Sequence, residues 1–330
     1  MITFKQFVTE AMLKPWVDNP VLVKEAINFL NKNCKDGLKA ISNNGLIYRG
    51  FMNKVSSKKF LLLDSTNAER SSRDSNNVYQ MLLDASIHMK EMPSRSNSFI
   101  CSSDRDTAYT YGEPYVMIPV DGTKIAVGGY YDMLLSDLNS SIFTGDMQDI
   151  NLLGADMLNF LGAKKPSSIM KFENAREIRD AFDRYSSEEI VCFYDHVFCD
   201  NKMIHALYLN LPKPLDQKQL TKKEIIAAAN VLAKNKTTLN MFKNQKIVHA
   251  AMEANPKNKF QAFASLIMTP KSTDITVKTF GEVLPTNREV WFSGKAMAIP
   301  YDLFLKMLLE LKKQGHPVHS AVKREWEIKK

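Results

Sequence analysis

The sequence predicts an α+β fold: a β-sheet with flanking helices over residues 11–212, followed by a basic, mainly helical domain at 213–330. Three observations carry this. Short apolar runs that read as strands are interspersed with segments whose apolar residues recur at helical spacing. Leu211-Pro212-Lys213-Pro214 is a proline-bracketed linker, after which the character of the chain changes. Charge divides at the same place: from Lys213 onward there are 21 Lys and Arg against 10 Asp and Glu, whereas the first 212 residues hold 23 against 26. The whole basic excess therefore lies in the last third, as on a solvated lysine-rich helical surface or one that faces a polyanion.

In chain order, Asn19-Pro20 opens a helix, VLVKEAINFLNKN, and Gly45 then opens the strand LIYRG. Residues 52–75 are polar and irregular around the short apolar piece Phe60 to Leu63. Asn76 or Asn77 caps the helix VYQMLLDASIHMK, which Pro93 ends. SNSFICSSD reads as a strand entering a turn, and Asp104 caps the short helix RDTAYTYG. PYVMIPV and TKIAVGG, joined by Asp121-Gly122, carry a strong hairpin signal. Helices are expected at YDMLLSDLN, MQDINLLGADMLNFLG and ENAREIRDAFDRY, then strands at EEIVCFYDHVFC and KMIHALYLNL. Beyond the linker lie helices at 221–234, 237–254 and 258–268, a short β portion around TDITVKTF and REVWFSGKAMAI, and a last helix ending at Gly315.

Bulk properties exclude several classes. Hydrophobic residues (45%) and charged residues (24%) stand at ordinary globular levels, and no apolar run approaches a membrane span, so no membrane partner is expected. Cys34, Cys101, Cys192 and Cys199 are too scattered for a disulfide framework and imply a reducing compartment. Cys192, His196, Cys199 and His205 are zinc-ligand types at a spacing that fits no common finger, so no metal is expected. There is no Walker loop, GxGxxG or repeat array.

Three polar sets sit at strand ends: Tyr48-Arg49-Gly50, then Phe99-Ile100-Cys101-Ser102-Ser103, then Ser187-Glu188-Glu189 before the apolar run IVCF. In that order they resemble the arginine-serine-glutamate class of ADP-ribosyltransferases, whose first strand carries Y/F-R-G, second F-x-S-T-S and third Q/E-x-E. The likeness covers roughly residues 40–210 and implies a mixed, split β-sandwich with flanking helices and NAD as co-substrate. By this resemblance Arg49, with Tyr48 and Gly50, binds the dinucleotide; Ser102 and Ser103 position ribose and carboxylate; and Glu189 is the catalytic carboxylate. The chemistry suits these types. A guanidinium binds pyrophosphate through paired charge-assisted bonds. A carboxylate beside the ribose stabilises the cation formed as nicotinamide departs. Glycine admits close backbone approach. Two positions depart from the family pattern: Cys101 stands for its first serine and Ser187 for its upstream Q/E, which leaves a non-catalytic transferase-like protein as the alternative. Arg288-Glu289-Val290-Trp291 is a second glutamate-before-strand element, ranked behind Glu189 because it lies far downstream. Arg70, Arg73 and Arg95 flank the site in sequence as phosphate ligands or surface cations.

The first ten residues, MITFKQFVTE, are amphipathic and lack the apolar core of a secretory signal. They resemble the head-targeting peptide of internal capsid proteins in T-even-like bacteriophages, which is cut after a hydrophobic-x-Glu sequence; here that is Val8-Thr9-Glu10. This resemblance implies a protein packaged in the virion head and released into the host cytoplasm. The expected partners are a host protein acceptor, packaged phage DNA, and capsid or scaffold proteins.

Overall fold

The structure is a computed structural model that describes residues 13–16, 20–52, 60–66, 78–129, 150–162, 175–198 and 236–319. The chain is α+β and divides into two compact units: residues 1–72, 90–133 and 274–330 form one, and residues 73–89 and 134–273 the other. The expected boundary at 212/213 is not how the units fall. The reason is hydrogen bonding: three strands beyond residue 213 belong to the sheet that the earlier strands build.

Among its described residues the first unit holds nine strands: β1 (Leu13–Trp16), β2 (Ile47–Phe51), β3 (Phe60–Asp64), β4 (Phe99–Ser102), β5 (Glu113–Pro119), β6 (Lys124–Val127), β7 (Thr276–Thr279), β8 (Glu289–Phe292) and β9 (Lys295–Pro300). Their order is β1-β3-β9-β5-β2-β4-β8-β6-β7. Every pairing among the described residues is antiparallel, so the sheet is antiparallel and not mixed as expected. It is also one hydrogen-bonded series and not two separate sheets, but it has a weak seam. β2 is in register with β5 over all five of its residues, Ile47 to Phe51. On its other side it meets β4 at the single pair Tyr48–Ser102.

The expected hairpin at Asp121-Gly122 does not form. β5 lies between β9 and β2, while β6 lies between β8 and β7. The turn itself is present, with Gly122 at φ +76°, a value that favours glycine. Its polar groups dock on a neighbouring helix instead of closing a ladder. Asp121 N donates to the Asn33 carbonyl, Gly122 N to Asp36 Oδ2, and Asp36 N to Asp121 Oδ1.

Helices α1 (Pro20–Asn33), α2 (Lys35–Asn43) and α11 (Tyr301–Lys313) belong to this unit. Their apolar sides, including Ala26, Leu30, Ile41, Phe304, Met307 and Leu311, join one buried cluster with Ile47, Met117, Val290, Phe292 and Ile299 of the sheet. α1 begins at a proline, which has no N–H to leave unsatisfied in a first turn. α4 (Arg105–Tyr109) is the short helix expected after Asp104, whose Oδ2 accepts from both the N and Oγ1 of Thr107 at 2.8 Å.

The second unit is helical in its described part: α3 (Val78–Ala85), α5 (Ile150–Gly162), α6 (Ala175–Phe182), α7 (Ser187–Phe198), α8 (Lys236–Ala254), α9 (Lys259–Ile267) and α10 (Pro270–Thr273). Its core is aromatic. Phe160 stacks on Phe193 at 4.6 Å, and Phe182 meets both Phe260 and Phe263 edge-on or tilted. The segment EEIVCFYDHVFC, expected as a strand, lies over its described residues in the helix α7. Ser186 and Glu189 close a reciprocal capping box: Glu189 N donates to Ser186 Oγ at 3.2 Å and Ser186 N to Glu189 Oε2 at 2.9 Å. Ile190, Phe193, Tyr194 and Val197 then fall on one buried helical face. The expected elements at residues 1–10, YDMLLSDLN, KMIHALYLNL and 221–234 lie outside the described residues.

Candidate functional site

The candidate site forms around the weak seam of the sheet. Tyr48 stands opposite Ser102, and Ser102 opposite Glu289, so one cross-strand row runs from β2 through β4 to β8. Side chains of directly opposed residues share a sheet face. The arginine strand, the serine strand and a glutamate strand are thus consecutive neighbours. The glutamate is the one ranked second from sequence. Glu189 belongs to the helical unit, where its carboxylate caps α7.

Glu289 is 5% exposed and Arg95 3% exposed, and the two form a buried ion pair. Arg95 Nε and Nη2 donate to Glu289 Oε1 at 3.1 and 2.8 Å. The guanidinium also lies 5.9 Å from the ring centroid of Trp291, two residues along the same strand and face. Trp291 Nε1 donates to the Pro93 carbonyl at 3.0 Å, tying the segment that carries Arg95 to β8. A buried carboxylate requires such pairing, because an isolated charge in this position costs several kcal/mol or more.

The serines do different jobs. Ser102, itself buried, accepts from Asp104 N at 3.0 Å and so shapes the turn into α4. Ser103 fastens the segment that leads into β8. Its Oγ donates to the Pro285 carbonyl at 2.7 Å and accepts from Arg288 N at 2.9 Å, and its N donates to the Arg288 carbonyl at 2.9 Å. Glu289 begins directly after this clamp. Asn287, two residues before it, sits in the left-handed region at φ 56°, and its Oδ1 accepts from Thr107 Oγ1.

Arg49 follows Tyr48, so the pleat turns it to the opposite face from Ser102 and Glu289. It is half-buried, with its guanidinium 5.6 Å from the Phe51 ring and 5.8 Å from Phe99. Its Nη1 donates to the Ile100 carbonyl of β4 at 2.8 Å. That bond bridges the seam by a side chain at a place where the backbone ladder between β2 and β4 is in register at one pair only. Burial pushes the guanidinium pKa down, offset by the nearby Cys101; at neutral pH it remains a cation.

Gly50 does permit a close approach, but the chain's own backbone makes it. A Cβ there would run into the Ala108 carbonyl and the backbone of Tyr111 and Gly112. Glycine at this position lets the end of α4 lie on β2.

Sequence reasoning missed the buried role of Arg95, whose Pro-Ser-Arg context carries no signal for it. It also missed the Ser186-x-x-Glu189 capping box, which was readable. Among the described residues no group of His, Cys, Asp and Glu is arranged to hold a metal ion, and no helix is long and apolar enough to cross a membrane. No protein family, no curated protein and no solved structure matches this chain.

Proposed function

We propose that the chain is an ADP-ribosyltransferase-like protein that uses NAD as co-substrate and transfers ADP-ribose to a host protein, with Glu289 as the carboxylate in place of Glu189. One observation carries this reading: the row Tyr48, Ser102, Glu289 on three neighbouring strands. On this reading the nicotinamide–ribose bond breaks with its electron pair leaving on nicotinamide, and Glu289 stabilises the positive charge that develops on the ribose. Ser103 holds the approach to β8 in place. Arg49, turned to the opposite face of the sheet and bonded to the Ile100 carbonyl, holds the seam and is not assigned the pyrophosphate. The location proposed from the first ten residues is the phage head, followed by entry into the host cytoplasm. The basic residues beyond 213 suit a protein packed beside phage DNA.

The deciding experiment is NAD hydrolysis and ADP-ribose transfer by the wild type, Glu289→Gln and Glu189→Gln. Loss in Glu289→Gln with retention in Glu189→Gln supports the reading. The reverse pattern returns the role to Glu189. A second reading is a non-catalytic internal head protein, possessing transferase-like strand order without turnover. It is favoured by the burial of Glu289 against Arg95 and by the opposite pleat of Arg49. Absence of any NAD-dependent thermal shift at millimolar NAD, together with strongly salt-dependent DNA binding, decides for it.

A further inference from the structure

We infer that Arg95 is a positioning residue for the Glu289 carboxylate, a role that rests on the transferase reading just given. The case is geometric. Two donors from one guanidinium, Nε and Nη2, converge on the same oxygen, Oε1. Two N–H groups fixed in one plane pin Oε1 from two directions, whereas a flexible ammonium holds it as a point charge. The fork is itself fixed from two sides before it reaches Glu289. Below it lies the Trp291 ring, and the Trp291 N–H anchors Pro93, two residues before Arg95. Ser98 Oγ donates to the Ser94 carbonyl at 2.5 Å, closing the short turn that presents the arginine. The chain then runs straight into β4, which places Ser102 beside Glu289. Arg95 and Ser102 therefore come from one continuous segment: Arg95 bonds the Glu289 carboxylate, and Ser102 stands opposite Glu289 across the ladder.

A counter-ion that only neutralised the buried carboxylate would need charge here, not a paired donor geometry. Replacement by lysine, which keeps the charge and most of the bulk, separates these roles. Turnover of NAD should be measured in full-length wild type, Arg95→Met, Arg95→Lys and Glu289→Gln, with thermal unfolding of each as the control for folding. Arg95→Met should lower kcat about 100-fold, the scale of a misplaced catalytic group, with KM for NAD within a factor of about two. Arg95→Lys should recover part of that loss, to about 10-fold below wild type. If Arg95→Met fails to fold, Arg95→Lys decides alone: the same 10-fold fall in kcat at unchanged KM supports the role, and wild-type kcat overturns it. Wild-type turnover in folded Arg95→Met overturns the role while leaving the transferase reading intact. A wild-type protein inert towards NAD, or a fully active Glu289→Gln, removes the transferase reading with Glu289 and this role with it.

Discussion

Two glutamates in this chain have nearly the same local sequence and opposite fates. Glu189 precedes Ile190-Val191 and Glu289 precedes Val290-Trp291, both apolar pairs that read as the start of a strand. Glu289 opens β8 in the middle of a sheet, where neighbours on both sides bury it and Arg95 pairs it. Glu189 lies in the first turn of α7, where its carboxylate bonds a backbone N–H at the helix end. The difference does not lie in the type of residue three positions upstream, since Ser186 and Thr286 both carry the hydroxyl of a capping box. Ser186 supplies the hydroxyl that completes a capping box, whereas Thr286 before Glu289 is followed by a left-handed Asn287 that leads into extended chain. A glutamate before an apolar pair does not define an element, even with a hydroxyl three residues upstream.

The comparison can be broken most forcefully at the buried pair. Glu289→Ala or Arg95→Ala should destabilise the protein by about 3–5 kcal/mol, since each leaves an uncompensated buried charge. The double variant Arg95→Met/Glu289→Leu should return most of that stability in urea unfolding. A double variant that loses the sum of the two single losses would mean that the two side chains are not coupled. Arg49→Met comes next: it removes a charged donor from the Ile100 carbonyl at the seam, and a loss of about 1.5–3 kcal/mol is expected. Ser186→Ala should cost about 1 kcal/mol, the usual scale for a lost helix cap, and amide exchange in α7 should report it locally.

The smallest effect comes from a third carboxylate, Asp36. Its pKa is held down first by the Gly122 N–H and then by Lys39. A pKa lower in the folded than in the unfolded state stabilises the protein above the unfolded value, and that contribution fades as pH falls through the folded one. The stability gap between wild type and Asp36→Asn should therefore shrink as pH falls from about 6 to about 3. With its partner Lys39 exposed to solvent, it should not exceed about 1 kcal/mol.

Much of the sheet unit was legible. The strands bearing Tyr48-Arg49 and Phe99 to Ser102, the cap at Asp104 and the final helix all stand where local patterns put them, because each rests on short-range chemistry. The site was legible only in part. Residues 134–273, which belong mainly to the helical unit, separate β6 from β7 in sequence. Distance along the chain therefore argued against Glu289, although pairing sets it beside Ser102. Asp121-Gly122 misled for a related reason. Its dihedral preference is real and met, but the partner of the strand after a turn depends on competition among ladders, and here Asn33 and Asp36 capture the turn. The pairing of Arg95 carried no local signal because its partner arrives 194 residues later.

The alternation of strands across the seam bears on how the chain is made. β2 and β3 lie on one side, β4 on the other, β5 back on the first, β6 to β8 on the second and β9 on the first. β9 is inserted between β3 and β5 as their shared neighbour. During synthesis, therefore, neither side of the seam closes early. The strands emerging before it wait for residues 295–300 with open edges, the state in which a nascent sheet is most exposed to pairing with other chains. The last fifth of the protein is thus a latch on the first, and a chain that ended before residue 295 would leave β3 and β5 without the strand they share.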